Sequence, residues 1–261
     1  NIATPALYEI IVSLICDILK ISEPKKIYGV SHLTNFSIFF LSLIFLYNII
    51  LKRFKNKLLS ILSVLILFLS PRIFSESFYN SRDIFFLSMT VVSIFFVQNY
   101  FNKNSFKNLV YCSICFAVLF SSRIFGIIPV LILFILIFLM NYDSRKISNI
   151  TNWHFILFSF FCFSFLILFS PYLWIDTFKN FIDYFSILIK APESINVVQL
   201  FLGEYSSSTN VSWYYRPIWF LITTPTSIII FLIPGLYIYS SRFIFRIINL
   251  SEDKKNVWRG K

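Results

Sequence analysis

The sequence predicts an all-α integral membrane protein, a polytopic bundle of about seven transmembrane helices with interfacial helices on its external side. Of the 261 residues, 57% are hydrophobic and 20% are aromatic, whereas only 13% are charged. The mean hydropathy is +0.77, so the chain carries more apolar surface than one soluble core hides. This composition excludes a disordered chain, a collagen, a coiled coil and a disulfide-rich secreted domain.

The spans are predicted from apolar runs, because a bilayer core of about 30 Å requires roughly 17 to 25 helical residues. The runs are 32–51, 58–74, 84–101, 109–121, 126–141, 153–173 and 217–239. The second and fourth runs have shorter apolar cores. A polar break at Ser121-Ser122-Arg123 separates the fourth run from the fifth.

Two further segments predict helices that lie in the membrane interface rather than crossing it. In residues 5–20, Glu9, Ser13 and Asp17 recur every fourth residue and form one polar stripe on an otherwise apolar helix. In residues 176–190, one helical face is apolar throughout. That face carries Phe178, Phe181, Ile182, Phe185 and Ile189.

The basic residues predict the orientation of the bundle. With seven spans, alternate threading places 52–57, 102–108, 142–152 and the tail 240–261 on one side, and these stretches carry the whole formal excess of +11. The opposite side is electrically balanced, and the positive-inside rule makes it external. The charge therefore reports topology and does not indicate nucleic acid as a partner. We expect a transmembrane module over 1–241 and a basic cytoplasmic tail over 242–261.

The external turn 70–83 contains the first candidate functional residues. It holds Arg72, Glu76, Tyr79, Arg82 and Asp83, and the next external turn places Arg123 in Ser-Arg-Ile-Phe, which echoes the Arg-Ile-Phe after Ser70-Pro71. Charged groups at a membrane are costly, and a guanidinium binds phosphate with two parallel hydrogen bonds. The alternative for Arg72 and Arg123 is snorkelling to lipid headgroups.

The external segment 174–216 contains the second group of candidates. Glu204 lies in a polar loop rich in hydroxyls, and Trp213 and Tyr214 follow that loop directly before an apolar run. Aromatic rings beside a polar loop suit the face of a sugar, although aromatic belts at membrane interfaces are the common alternative. We expect these residues to line the site for an acceptor.

Three stretches carry a family resemblance: Ser77-Phe78-Tyr79-Asn80-Ser81-Arg82-Asp83-Ile84, Ser170-Pro171-Tyr172-Leu173-Trp174, and Trp213-Tyr214-Tyr215-Arg216-Pro217-Ile218-Trp219. Together they resemble GT-C type integral-membrane glycosyltransferases. The closest likeness is to bacterial relatives of the dolichyl-phosphate-mannose protein mannosyltransferases. The resemblance covers most of the chain.

The resemblance implies an enzyme that moves a sugar from a polyprenyl-phosphate carrier to an acceptor on the external face, here the periplasmic face of a bacterial inner membrane. It implies that Arg82 contacts the carrier phosphate. We further expect Arg72 and Arg123 to complete a phosphate clamp with Arg82, and Glu76 and Asp83 to orient this clamp or to line the acceptor site. The catalytic acid of the family lies in an acidic first external loop, which we expect upstream of Asn1. The chain starts without Met, and we therefore expect it to be a fragment. The family's acid is not transferred to Glu9 or Asp17.

Two other functions stay open at this stage. A transporter or flippase of lipid-linked sugars also needs many spans and external arginines, but it requires ionisable groups or broken helices near the midplane. A structural subunit leaves the cluster of acids and arginines unexplained. No residue pattern supports a metal site, and the sequence leaves a divalent-metal requirement, the sugar, the acceptor and the oligomeric state open.

Overall fold

The computed structural model describes residues 6–103, 105–123, 126, 128–129, 131–132, 149–183, 198–207 and 212–248. The chain divides into two compact units, residues 1–135 with 148–184 and residues 136–147 with 185–261. The predicted span 126–141 lies mostly outside the described residues. The second half of the predicted interfacial helix 176–190 also lies outside them, while residues 177–183 are helical.

The first unit is a helix bundle, as the composition predicts. Its helices are α1 (Ala6–Ile18), α2 (Pro24–Phe54), α3 (Lys57–Phe68), α4 (Pro71–Tyr79), α5 (Ser81–Asn102), α6 (Phe106–Ser122) and α7 (Asn149–Phe169), followed by a short 3₁₀ turn at Pro171–Leu173. Helix α2 packs against α5, α5 against α6, and α6 against α7. The predicted spans 84–101, 109–121 and 153–173 correspond to α5, α6 and α7.

Local sequence explains where these helices begin and end. Helix α2 begins at Pro24, whose missing N–H is no loss in a first turn, and ends before Lys55, which adopts the left-handed conformation (φ 53°). The side chain of Asn56 then accepts a hydrogen bond from Leu59 N (3.1 Å) and caps α3. Ser105 caps α6 in the same way through Asn108 N (3.4 Å).

The predicted span 58–74 is broken in the structure. Helices α3 and α4 meet at a bend of 64° at Ser70-Pro71. Ser70 is extended (φ −62°, ψ 115°), because the ring of the following proline disfavours a helical conformation at the preceding residue. The run 58–74 is therefore not one continuous helix, although the two helices together have the length and composition of one span.

Contacts at the two ends of the bundle show how the chain is threaded. Near the end of α2, Lys52 Nζ donates to Asn99 Oδ1 near the end of α5 (2.6 Å). Near the start of α2, Asn35 contacts Ser77, which precedes the start of α5. Helices α2 and α5 therefore run in the same direction, and the bent pair α3–α4 provides the return.

Small residues make the close helix contacts of the first unit. Ser42, Ser88 and Ser113 are buried, and each hydroxyl donates to a carbonyl three or four residues earlier in its own helix. Cys112 and Cys115 are buried in α6 as well. Small side chains allow the backbones of membrane helices to approach closely, and this need accounts for their position.

Helix α1 packs across the bundle. Tyr8, Val12 and Cys16 are buried with Phe85 of α5 and Val118 of α6. The predicted polar stripe of Glu9, Ser13 and Asp17 is exposed, and so is an apolar stripe formed by Ile10, Leu14 and Ile18. Three stripes of this kind suit a helix with protein on one side and a membrane–water boundary on the others.

The second unit contains a β-hairpin and two helices. Strand β1 (Val198–Phe201) pairs antiparallel with β2 (Glu204–Ser207), and helices α8 (Tyr215–Thr223) and α9 (Thr226–Ile248) follow. The predicted span 217–239 is divided at Thr224-Pro225, where Thr224 is extended before the proline. The apolar span lies further along the chain, at Thr226–Phe245.

Among the described residues, three helices are long and apolar enough to cross a membrane, namely α2, α5 and α9. The bent pair α3–α4 makes a fourth if it is one span, and the apolar helices Phe106–Ser122 and Ile156–Phe169 are shorter. The chain is a polytopic helical membrane protein. The total of seven spans stays a prediction.

Candidate functional site

A cluster of charged side chains lies where α4 passes into α5. We call Arg72, Glu76, Asn80, Arg82, Asp83 and Arg123 the α4–α5 cluster. Arg72 and Glu76 are one helical turn apart on α4, and Arg72 Nε donates to Glu76 Oε1 (3.0 Å). Glu76 is the more buried partner of the pair, with 21% of its side chain exposed.

Asn80 links the two carboxylates of the cluster. Its amide nitrogen donates to Glu76 Oε2 (3.3 Å) and to Asp83 Oδ2 (3.0 Å). Its amide oxygen accepts from the backbone N–H of Asp83 (3.2 Å) and caps the first turn of α5. One asparagine therefore fixes the helix junction and both acids.

Arg123 joins the cluster from another helix. It follows the last residue of α6, and its guanidinium forms an ion pair with Asp83. Its Nε is buried and has no hydrogen-bond partner among the described residues. The structure thus places Arg72 and Arg123, which echo each other in sequence, at the two ends of one network that runs through Glu76, Asn80 and Asp83.

Arg82 differs from the other two arginines of the cluster. It lies in the first turn of α5, is partly exposed, and makes no ion pair or side-chain hydrogen bond with another residue that the structure describes. With three arginines and two acids, the cluster has one cation in excess, and Arg82 is the one that no described carboxylate holds. Tyr79, the last residue of α4, is 58% exposed.

Helix α4 is attached to the bundle by residues that the sequence analysis did not select. Asn35 of α2 is buried and donates from Nδ2 to the carbonyl of Ser77 (2.9 Å), and the rings of Phe36 and Phe78 stack at 4.7 Å. Ser77 belongs to the last turn of α4, where carbonyls lack intrahelical donors. The sequence did offer a signal for this contact, namely the amide of Asn35 within an apolar run. A polar group inside a membrane span is costly unless it has a hydrogen-bond partner.

The other predicted residues belong to the second unit and are described with it alone. Glu204 is exposed and opens strand β2 opposite Phe201. Trp213 is 86% exposed, and its ring contacts Tyr214 edge to face at 5.8 Å. Tyr214 also contacts Phe201 of the hairpin, at 6.2 Å between ring centroids.

The described part of the chain holds no group of three or more His, Cys, Asp or Glu side chains that suits a metal ion. The chemistry of the α4–α5 cluster is that of paired guanidinium and carboxylate groups at the end of a membrane bundle. A guanidinium group can bind an anion with two parallel hydrogen bonds, and a neighbouring carboxylate can fix the orientation of the guanidinium.

A polytopic helical bundle of this kind defines the class as an integral membrane protein. Residues 29–175 match the family described as dolichyl-phosphate-mannose-protein mannosyltransferase. This match covers more than half of the chain, and the chain belongs to that family. Comparisons with curated proteins and with solved structures find no match.

The family supports a membrane glycosyltransferase of the mannosyltransferase type that uses a lipid-linked sugar donor. The matched region contains the whole α4–α5 cluster and Tyr79. It ends before Glu204, Trp213 and Tyr214, so the family match does not extend to the β-hairpin or to helices α8 and α9.

Proposed function

We propose that the chain takes a sugar from a polyprenyl-phosphate donor and transfers it to an acceptor on the external face of the membrane. In a bacterial inner membrane this is the periplasmic face. The observation that carries the proposal is the difference among the three arginines of the α4–α5 cluster. Arg72 and Arg123 are paired with carboxylates, whereas Arg82 has no described partner.

In this proposal Arg82 binds the phosphate of the donor. As the bond between sugar and phosphate breaks, negative charge grows on the leaving phosphate, and a guanidinium held in place stabilises it. The first turn of a helix adds a favourable dipole for an anion at this position. Arg72 and Arg123 extend the positive surface, while Glu76 and Asp83 keep their guanidinium groups in fixed orientations.

The acceptor hydroxyl has to lose a proton to a base as it attacks the anomeric carbon, and such a base is worth roughly 10²–10⁴-fold in rate. Glu76 and Asp83 are already bonded to arginines, and we assign the base to neither of them. We propose that Tyr79 contacts the acceptor. For Glu204, Trp213 and Tyr214 of the second unit, we separately propose contact with the acceptor, on the basis of their sequence context. This part rests on their sequence context and on the exposure of Tyr79 and Trp213.

The charge distribution of the described helices does not favour a transporter of lipid-linked sugars, although the bent pair α3–α4 is a broken helix of the kind that a transporter also contains. In the candidate spans α2, α5 and α9, the charged residues lie only near the helix ends, and a coupled transporter requires such groups near the midplane. Helix α9 also continues through Pro234 without a break.

The test replaces Arg82 by Ala in the natural full-length protein, reconstituted in liposomes with a polyprenyl-phosphate sugar and an acceptor. Loss of hydrogen bonds to a charged group costs about 1.5–3 kcal/mol, so kcat/KM for the donor should fall roughly 10- to 100-fold. Arg82→Lys keeps the charge but loses the two-pronged geometry, and we expect an intermediate rate.

Arg53→Ala is the matched control, because Arg53 is an exposed arginine in the last turn of α2, away from the cluster. It should leave transfer unchanged. Equal rates for Arg82→Ala and the parent protein would refute the phosphate assignment. Movement of the lipid-linked sugar across the liposome membrane without transfer would instead support a transporter.

A further inference from the structure

The β-hairpin of the second unit presents one apolar face whose three apolar side chains are exposed. The register pairs Val198 with Ser207 and Leu200 with Tyr205, so these four residues lie on one face. Val198 is 68% exposed, Leu200 57% and Tyr205 79%. Leu202, in the turn, is 66% exposed. No charged side chain lies on this face.

The other face of the hairpin is attached to the start of α8. Phe201 lies on that face, and its ring is 4.7 Å from Tyr215 and 6.2 Å from Tyr214. The turn that makes this packing possible uses two positive backbone angles, φ 52° at Leu202 and φ 89° at Gly203. Two successive positive φ angles match the twist of a two-residue hairpin turn. The turn therefore fixes how the two strands are paired.

The residues to which the hairpin is attached mark the edge of an apolar segment. Arg216 is the last charge before residues 217–241, which carry none, and Trp213, Tyr214 and Tyr215 directly precede it. Tyr and Trp followed by an uncharged apolar run are typical of the level of the lipid headgroups. The hairpin is therefore held at that level by its contact with Tyr214 and Tyr215.

We propose that the hairpin inserts its Val198–Leu200–Tyr205 face into the lipid headgroup region as a monotopic anchor. This inference does not depend on sugar transfer, only on membrane integration. The open edges of a two-stranded sheet cannot enter hydrocarbon, because their N–H and C=O groups need water or headgroup partners. The side chains of the apolar face enter the lipid headgroup layer, while the backbone of the hairpin stays at the surface of that layer. Glu204 and Ser206, on the Phe201 face, stay in contact with water.

The test uses neighbouring residues that point to opposite faces. Single cysteines are introduced as Leu200→Cys, Tyr205→Cys and Ser206→Cys, labelled with an environment-sensitive fluorophore, and compared with the unsubstituted protein as a blank in liposomes. Labels at 200 and 205 should be blue-shifted and should show several-fold stronger quenching by lipid-borne nitroxides than the label at 206. The label at 206 should be quenched by iodide instead.

Two results would overturn the anchor. If iodide quenches all three labels alike, the apolar face is in water and is free for a protein such as an acceptor polypeptide. If labels at 200 and 205 are blue-shifted without lipid quenching, and the shift is lost on dilution of the protein in the membrane, a second copy covers the face.

Discussion

Asn35 occupies a position where hydrogen bonding decides how a helix is placed. It is 1% exposed, it lies in an otherwise apolar part of α2, and its Nδ2 reaches a carbonyl in the last turn of α4. Helix α4 carries Arg72 and Glu76 and leads directly into Arg82 and Asp83. Because that carbonyl has no donor within its own helix, Asn35 provides for α4 what a capping residue provides for a solvent-exposed helix.

We therefore predict that Asn35→Leu destabilises the protein by about 1–3 kcal/mol, the usual cost of leaving a buried acceptor unpaired. Denaturant unfolding of the purified protein in detergent measures this change. The rate of sugar transfer should fall as well, because α4, which carries Arg72 and Glu76 of the cluster, would lose its fixed position.

Asn48→Leu is the control on the same helix. Asn48 donates to Ile44 O, one turn back (2.8 Å), and makes no hydrogen bond to another of the described helices. Its replacement should change the unfolding free energy by much less. Equal effects at positions 35 and 48 would show that the contact with α4 contributes nothing.

At the scale of the element, the sequence predicts which segments are helical. It predicts less well where a helix breaks and which helices are in contact. The runs 84–101 and 109–121 lie within α5 and α6, because capping residues such as Ser105 and an uninterrupted apolar pattern agree there. The proline at 71 was visible, yet hydrophobicity alone does not show that the chain bends by 64° at that point.

The candidate site shows the same division between local and long-range information. The contact between Arg72 and Glu76 follows from helical spacing, because residues four apart on a helix are neighbours. The pairing of Arg123 with Asp83 joins residues 40 positions apart. It depends on how α6 packs against α5, which no local pattern specifies. Asn80, the residue that links both acids, resembles an ordinary cap in the sequence.

Helix α1 provides a prediction about pH. Tyr8 donates from its hydroxyl to Ser31 O (2.6 Å) on α2, and its ring contacts Phe85 at 5.8 Å. Burial raises the pKa of Tyr8 above its ordinary value of 10.0; the hydrogen bond with Ser31 opposes this shift and the charge of Glu9 adds to it.

The neutral phenol is the form that the folded state favours. Its contribution to the docking of α1 is complete below the unfolded pKa near 10 and is lost as the pH rises through the higher folded pKa. Hydrogen exchange of α1 amides, corrected for the intrinsic rate, should therefore show weaker protection at pH 11 than at pH 9. Helix α6 serves as an internal reference.

Tyr8→Phe should remove this pH dependence while costing about 0.5–1.5 kcal/mol for the lost hydrogen bond at neutral pH. If the variant and the parent protein lose α1 protection in parallel between pH 9 and pH 11, ionisation of Tyr8 is not the cause.

For the whole molecule, the charge pattern and the observed contacts give the same threading of the first unit. The contact of Lys52 with Asn99 places the ends of α2 and α5 together, and the ion pair of Asp83 with Arg123 places the start of α5 beside the end of α6. The basic connection 52–57 and the α4–α5 cluster therefore lie at opposite ends of the bundle. The positive-inside rule then predicts that the cluster lies on the external side.

This orientation predicts the labelling of two exposed lysines, Lys25 in the first turn of α2 and Lys57 at the start of α3. Lys25→Cys and Lys57→Cys are introduced separately into the parent protein, in which Cys16, Cys112 and Cys115 are buried and Cys162 is half-buried, and the unsubstituted protein measures the background labelling. A membrane-impermeant maleimide added to intact cells should label position 25 and leave position 57 unlabelled until the cells are permeabilised. If position 57 alone is labelled from outside, the bundle has the opposite orientation in the membrane. That orientation would place the α4–α5 cluster on the cytoplasmic side, and sugar transfer on the external face would then require another site.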